Sequence, residues 1–180
     1  MDKKLKIVII GPESTGKTTL CRKLAEHYNT VFLEEYAREY VEKLEGRYCY
    51  KDLEKIASKI LSLEDEIEQK ADKYYFVDTS VIVMKVWFEV VYNKIPDWFE
   101  HKIKDYFADL YLLTKVDIPW EYDPVREYPG EMRYKLFDIY MENLKKNNLN
   151  FGIVEGKGNQ RTENAIEIVN NFFDKCGVKK

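Results

Sequence analysis

The sequence predicts an α/β protein of three layers, a five-stranded parallel sheet flanked by helices, on three observations. Apolar runs alternate with amphipathic stretches in the order βαβαβαβαβα, the pattern that winds a parallel sheet with helices on its faces. The first run, Leu5 to Ile10, is nearly continuous in apolar residues, as a strand buried on both faces must be. It leads directly into Gly11-Pro12-Glu13-Ser14-Thr15-Gly16-Lys17-Thr18, which satisfies the phosphate-loop pattern G-x-x-x-x-G-K-[ST] at every specified position. The helix that follows keeps Leu20, Leu24 and Ala25 on one side.

The residue types in that loop have a chemical reason. Glycines at 11 and 16 let the backbone turn and approach phosphate oxygens, while successive N–H groups and the positive end of the helix face the anion. Lys17 reaches the β- and γ-phosphates in this pattern, and the Thr18 hydroxyl ligates magnesium (Mg²⁺). The plain alternative is a glycine turn between a strand and a helix.

A chain of 180 residues predicts one domain, 1–180, with a full core. Its 45% hydrophobic and 34% charged residues are those of a soluble protein, and a net charge of −3 argues against nucleic acid or an anionic membrane as partner. Cys21, Cys49 and Cys176 are scattered and odd in number, and read as free thiols in a reducing compartment. The apolar run after Lys3, Lys4 and Lys6 leads into the phosphate loop rather than a cleavage site, so it reads as a strand and not a signal peptide. With no transmembrane-length apolar stretch, the expected location is cytoplasmic.

Taken in order, Thr30 to Leu33 is β-branched and aromatic and predicts a second strand, ending at Glu34-Glu35-Tyr36-Ala37-Arg38. Carboxylates at the carboxyl end of a strand beside a phosphate loop suit chemistry, because open α/β sheets bind ligands there. Equally, they suit the start of a helix, where negative charge meets the dipole. Leu53, Ile56, Ala57, Ile60, Leu61 and Ile67 predict an amphipathic helix over 51–72. Tyr74 to Val77 predicts a third strand ending in Asp78-Thr79-Ser80, where phosphate-loop enzymes hold the acid for Mg²⁺; the bland reading of Asp78 is a helix N-cap.

Val81 to Tyr92 predicts a mostly apolar helix on the sheet, in which Trp87 reads as core before it reads as a ligand contact. Pro96 to Phe99 restarts a short helix and Asp109 to Leu113 is a fourth strand. The stretch Asp117 to Gly130 holds three of the five prolines among aromatics and charges, which predicts a functional loop, with Arg126 and Arg133 at its end. A mobile arginine stabilises charge in phosphoryl transfer; ordinary surface pairing is the alternative for both. Helices over 133–144 and 161–173 flank a fifth strand, Phe151 to Val154, and the glycine loop Gly156-Lys157-Gly158. A single helical crossover is expected after each strand except between the second and third.

The phosphate loop, Glu-Glu-Tyr-Ala-Arg, the strand-terminal Asp78-Thr79, Asp117-Ile118-Pro119-Trp120, Asp123-Pro124 and Arg126 together resemble the ribosylnicotinamide kinase domain of NadR-type NAD-biosynthesis proteins, in order along essentially the whole chain. The resemblance implies a P-loop kinase fold, ATP and Mg²⁺, and phosphorylation of the 5′-hydroxyl of nicotinamide riboside to nicotinamide mononucleotide. It further implies that Gly11, Glu13, Ser14, Thr15, Gly16, Lys17, Thr18 and Thr19 bind the triphosphate, with Arg161 by the adenine and Asp78 with Thr18 at the metal. Glu35 is the expected general base with Glu34 behind it, Lys17 and Arg126 complete the catalytic set, and 117–133 is the expected lid. Tyr36, Arg38, Trp87, Asp117 and Trp120 are the remaining expected riboside contacts; a positive pyridinium ring favours aromatic faces and carboxylates. The expected form is a stand-alone kinase without the nucleotidyltransferase or DNA-binding domain of such proteins.

Three rivals differ in one feature each. Thr114-Lys115-Val116-Asp117 approximates the guanine-reading Asn/Thr-Lys-x-Asp of GTPase-like switches, but Asp78-Thr79-Ser80-Val81 lacks the glycine that class places after its aspartate. A kinase for another nucleoside or small acceptor keeps the phosphate chemistry and changes the pocket. A nucleic-acid-associated ATPase is disfavoured by the acidic balance.

Overall fold

A computed structural model describes residues 4–178; Lys3 and the ends of the expected 1–180 domain lie outside them. Five strands form one parallel sheet in the order β2-β3-β1-β4-β5: β1 Leu5–Ile10, β2 Phe32–Leu33, β3 Tyr74–Asp78, β4 Leu110–Thr114 and β5 Phe151–Val154. The helices are α1 Lys17–His27, α2 Tyr36–Glu42, α3 Tyr50–Lys70, α4 Val81–Tyr92, α5 Asp97–Lys102, α6 Glu131–Lys146 and α7 Asn159–Cys176, with a 3₁₀ turn at Ile103–Tyr106. The third-to-fourth crossover carries α4, the short helix expected to restart at Pro96, and a 3₁₀ turn. Pro96 caps the second of them and restarts the chain after Asn93, which takes the left-handed conformation that asparagine tolerates. The second strand is shorter than expected, since as an edge strand it pairs on one side only.

Alternate residues of each central strand feed opposite faces. Ile7, Ile9, Phe76 and Leu112 pack with α1 and α7 through Leu20, Leu24, Val169 and Phe173. Val8, Ile10, Val77, Tyr111 and Leu113 pack with α4 and α6 through Ile82, Val86, Leu136 and Leu144. A third cluster joins α3 to α4 and α5 through Leu53, Ile56, Met84, Phe88 and Phe99. Each fully buried side chain of this kind contributes about 1.5–3 kcal/mol.

The register fixes what meets at the carboxyl edge. Ile9 pairs with Asp78, Leu33 with Val77 and Ile10 with Leu113. Gly11, Glu34, Glu35, Thr79 and Lys115 thus leave the sheet side by side, the edge at which open parallel sheets bind ligands.

Candidate active site

The phosphate loop is shaped by contact with β4. A Cβ on Gly11, whose φ is 146°, would stand 2.2 Å from Thr114 Oγ1, so only glycine fits there. Thr15 Oγ1 lies 2.7 Å from both Pro12 O and Thr114 Oγ1, and Thr114 Oγ1 lies 3.1 Å from Ile10 O, so the two hydroxyl protons are shared among these three contacts. Gly16, at φ 75°, starts α1 with no side-chain cap, which leaves the first amides of the helix to an anion. Lys17 Nζ donates to Pro12 O at 3.1 Å, folded over the loop.

Beside this cradle stands Asp78, 1% exposed. Burial, and then the charge of Glu35, push its carboxyl up to about 6, against Lys17 and the hydroxyls of Thr18 and Thr79. Its Oδ2 has no hydrogen-bond partner among the described residues. Thr79 holds φ 69°, a costly conformation for a β-branched residue, fixed by its amide donating to Ile9 O at 3.1 Å. A buried orphan carboxylate oxygen close to a threonine hydroxyl is a hard-oxygen pair of the kind Mg²⁺ takes. No group of three or more His, Cys, Asp or Glu side chains is arranged for a metal among the described residues, so phosphate oxygens and water would complete the shell.

A cavity of about 240 Å³ runs from the phosphate loop to a wall built by α2, α4 and α6, on the scale of a small molecule. Glu35 and Lys17 line its polar end; Trp87, Val90, Tyr128 and Tyr140 line its apolar end. Trp87 packs edge-on to Tyr48 with ring centres 4.9 Å apart, and its Nε1 donates to the Tyr48 hydroxyl at 2.9 Å. Tyr48 in turn donates to Glu127 at 2.6 Å, and Arg38 pairs with Asp123 at 2.6 Å. These two contacts tie the α2 side of the cavity to the proline-rich loop.

That loop is also stitched to the phosphate loop. Glu13 accepts the amides of Glu127 and Tyr128 at 3.0 and 2.9 Å, while burial pushes its carboxyl up against those amides and Lys17. Arg133, buried, donates to Glu13 O, Ser14 O and Ile118 O. Arg126 lines the cavity and donates to Glu121 O at 2.6 Å. The guanidinium groups of Arg126 and Arg133 both lie over the Trp120 ring, 5.9 and 5.7 Å from its centre.

Of the residues expected from sequence, the structure brings the phosphate loop, Glu35, Arg38, Trp87 and Arg126 to one cavity, with Asp78 buried behind it. Four expected riboside contacts do not line it. Glu34 is exposed and paired with Arg22; Tyr36 lines a separate groove with Tyr40 and Lys43; Trp120 is taken up by two arginines. Asp117 Oδ1 accepts Arg161 at 2.7 Å and its Oδ2 accepts the Gly156 amide at 2.8 Å. Arg161 is likewise turned inward, donating also to Val154 O and Lys115 O. Tyr48, Tyr128 and Tyr140 carry no motif in the sequence, because one cavity collects them from two loops and a helix far apart in the chain.

A family described as an AAA domain matches residues 6–161. The chain belongs to that family. The chain is 29% identical over 177 residues to the "Trifunctional NAD biosynthesis/regulator protein NadR" of Salmonella typhimurium, covering 95% of this chain and 43% of that protein. The protein of the same name from Escherichia coli is 30% identical over 173 residues, covering 93% of this chain and 42% of its own length. The chain thus spans less than half the length of these relatives. Among solved structures, NadR in complex with NR aligns at TM-score 0.82 with 26% identity, over 98% of this chain and 53% of that one. NadR in complex with NAD and AMP-PNP aligns at 0.79 with 25% identity, over 99% and 51%. Thymidylate kinase from Ehrlichia chaffeensis, at 0.61 and 16% over 93% and 98%, shares the fold.

Proposed function

We propose that this chain is a ribosylnicotinamide kinase, transferring the γ-phosphoryl group of ATP to the 5′-hydroxyl of nicotinamide riboside with Mg²⁺. The observation that carries the reading is the single cavity with a phosphate cradle at one end and an aromatic wall at the other. The likeness to NadR with NR bound, along 98% of this chain, supports the same acceptor.

Glu35 faces the cavity and takes the proton of the 5′-hydroxyl as its oxygen bonds to the γ-phosphorus and the bond to the bridging oxygen breaks. Lys17 and the loop amides hold the phosphate oxygens, and Arg126 meets the charge that spreads over them. Thr18 and Asp78 hold Mg²⁺, which when bound neutralises phosphate charge. Trp87 and Tyr128 offer ring faces to the pyridinium. Residues 117–133, fastened to the phosphate loop through Glu13 and Arg133, form the lid. A GTPase-like switch is not favoured, since the carboxylate it would use for guanine is engaged within the protein.

The test is Mg²⁺-dependent product formation from ATP, with nicotinamide riboside and a panel of nucleosides as acceptors. Riboside phosphorylation that is lost in Lys17→Ala is the expected result. Acceptor-independent GTP hydrolysis, or faster phosphorylation of another nucleoside, would overturn it. Trp87→Ala is expected to raise riboside KM about tenfold with ATP KM unchanged, from lost ring contact. An unchanged riboside KM would take Trp87 out of the acceptor site.

A further inference from the structure

Most polar side chains that line the cavity are already engaged by the protein. Tyr48 donates to Glu127, Arg38 pairs with Asp123, and Glu13 accepts two amides. Tyr140 is different. It lines the same cavity at 6% exposure, with its ring in the core cluster of Val8, Val77 and Val86, and its hydroxyl bonds to no other described residue. Buried polar groups of folded proteins are almost always hydrogen-bonded, and leaving one unpaired costs stability. This one opens on a cavity, which directs it to a molecule that enters there.

The helix sets where the hydroxyl points. α6 starts against the phosphate loop, where Arg133 bonds Glu13 O and Ser14 O, and Tyr140 lies about two turns further on, about 10 Å along the axis. Helical side chains tilt toward the N-terminus, so Tyr140 leans back toward the loop. After burial, the charges of Glu13 and Glu35 hold the proton on its phenol, which leaves an O–H able to donate and accept. An acceptor with its 5′-oxygen at Glu35 and its pyridinium on Trp87 has its ribose between them. The sugar is therefore the part that brings hydroxyl groups to a side chain facing Glu35.

We propose that Tyr140 is a specificity residue of the acceptor site, its hydroxyl bonding a 2′- or 3′-hydroxyl of the ribose. The proposal rests on the nucleoside-kinase reading and extends it from the ring to the sugar.

Tyr140→Phe removes one oxygen and keeps the aromatic ring. Steady-state phosphorylation by wild type and variant, with nicotinamide riboside and its 2′-deoxy and 3′-deoxy forms, reads the coupling between the two hydroxyls. With the riboside, the variant should raise acceptor KM about tenfold, with kcat and ATP KM within about twofold of wild type. One deoxy form should lose about tenfold in kcat/KM with the wild type and less than about twofold more with the variant, because the same bond is already gone. The variant should melt no lower than wild type, since no hydrogen bond within the protein is lost. An acceptor KM that Tyr140→Phe leaves unchanged would overturn the proposal. Equal losses on the riboside and on both deoxy forms would do the same, as would a lower melting temperature, which assigns the hydroxyl to the fold. If another ribonucleoside is phosphorylated faster, the comparison run with it and its deoxy forms reads Tyr140 while the riboside reading fails. Phosphorylation of no nucleoside would sink both.

Discussion

Asp78→Asn is expected to cut turnover by about 10²- to 10³-fold and, without Mg²⁺, to stabilise the fold at pH 8. The two effects have one origin. Burial raises the folded carboxyl to about 6, above the value of 3.8 it starts from, so the folded state holds the proton more tightly than the unfolded chain. The stability linked to this group is full below about pH 4 and is lost as pH rises through about 6, by on the order of 3 kcal/mol. Asparagine carries no charge at either end of that window. Thermal melts in EDTA should therefore coincide for variant and wild type at pH 4 and separate at pH 8, the variant melting higher by on the order of 5–10 °C. Added Mg²⁺ should raise the wild-type melting temperature and leave the variant's where it was. A variant that melts lower at pH 8 would mean that the carboxylate is held by structural bonds, and would remove it from the metal site. Such a residue illustrates why sites resist optimisation: the group that costs stability in the free protein is the one the reaction uses.

The sequence carried the strands and helices well where local pattern decides them. Val81–Tyr92 appears with the expected bounds because it buries Val81, Ile82, Met84, Val86 and Phe88, and Phe151–Val154 does so because it pairs along its length with Tyr111–Thr114. Phe32–Leu33 fell short of its pattern, since an edge strand extends only as far as one neighbour pairs with it. In the site, the phosphate loop was legible because its chemistry is contiguous. Asp117 and Arg161 were named as site residues, but their pairing was not legible, because it depends on a carboxylate and a guanidinium 44 residues apart meeting in the fold. Tyr48 lies in an irregular segment with no motif, and becomes meaningful only once Trp87 and Glu127 flank it. Glu13 shows the same limit inside a motif: it stands at an unspecified position of the loop pattern, and its partners are the amides of Glu127 and Tyr128.

Arg126→Ala is expected to lower kcat by about 10³-fold or more while leaving ATP affinity within a fewfold of wild type. Two arginines close the proline-rich segment, and their surroundings separate their work. Arg133 is buried and gives its hydrogen bonds to three backbone carbonyls of the phosphate loop and of Ile118, so it is committed in the free protein. Its loss strands those acceptors, and Arg133→Ala should cost about 2–3 kcal/mol of stability before any effect on chemistry. Arg126 lines the cavity and is held at one nitrogen, by Glu121 O and more distantly by Ser14 Oγ at 3.5 Å, with Trp120 under its plane. The rest of the guanidinium is available to oxygens whose charge grows only as the phosphoryl group moves, which is why its removal should act on kcat and not on ground-state binding. Single-turnover rates and direct ATP titration for the two alanine variants, each with its melting temperature, distinguish them. Near-normal turnover in Arg126→Ala alongside an inactive Arg133→Ala of unchanged melting temperature would exchange the two roles. Arg126→Lys should recover only part of the rate, because an ammonium supplies charge without the planar fork that spans two phosphate oxygens.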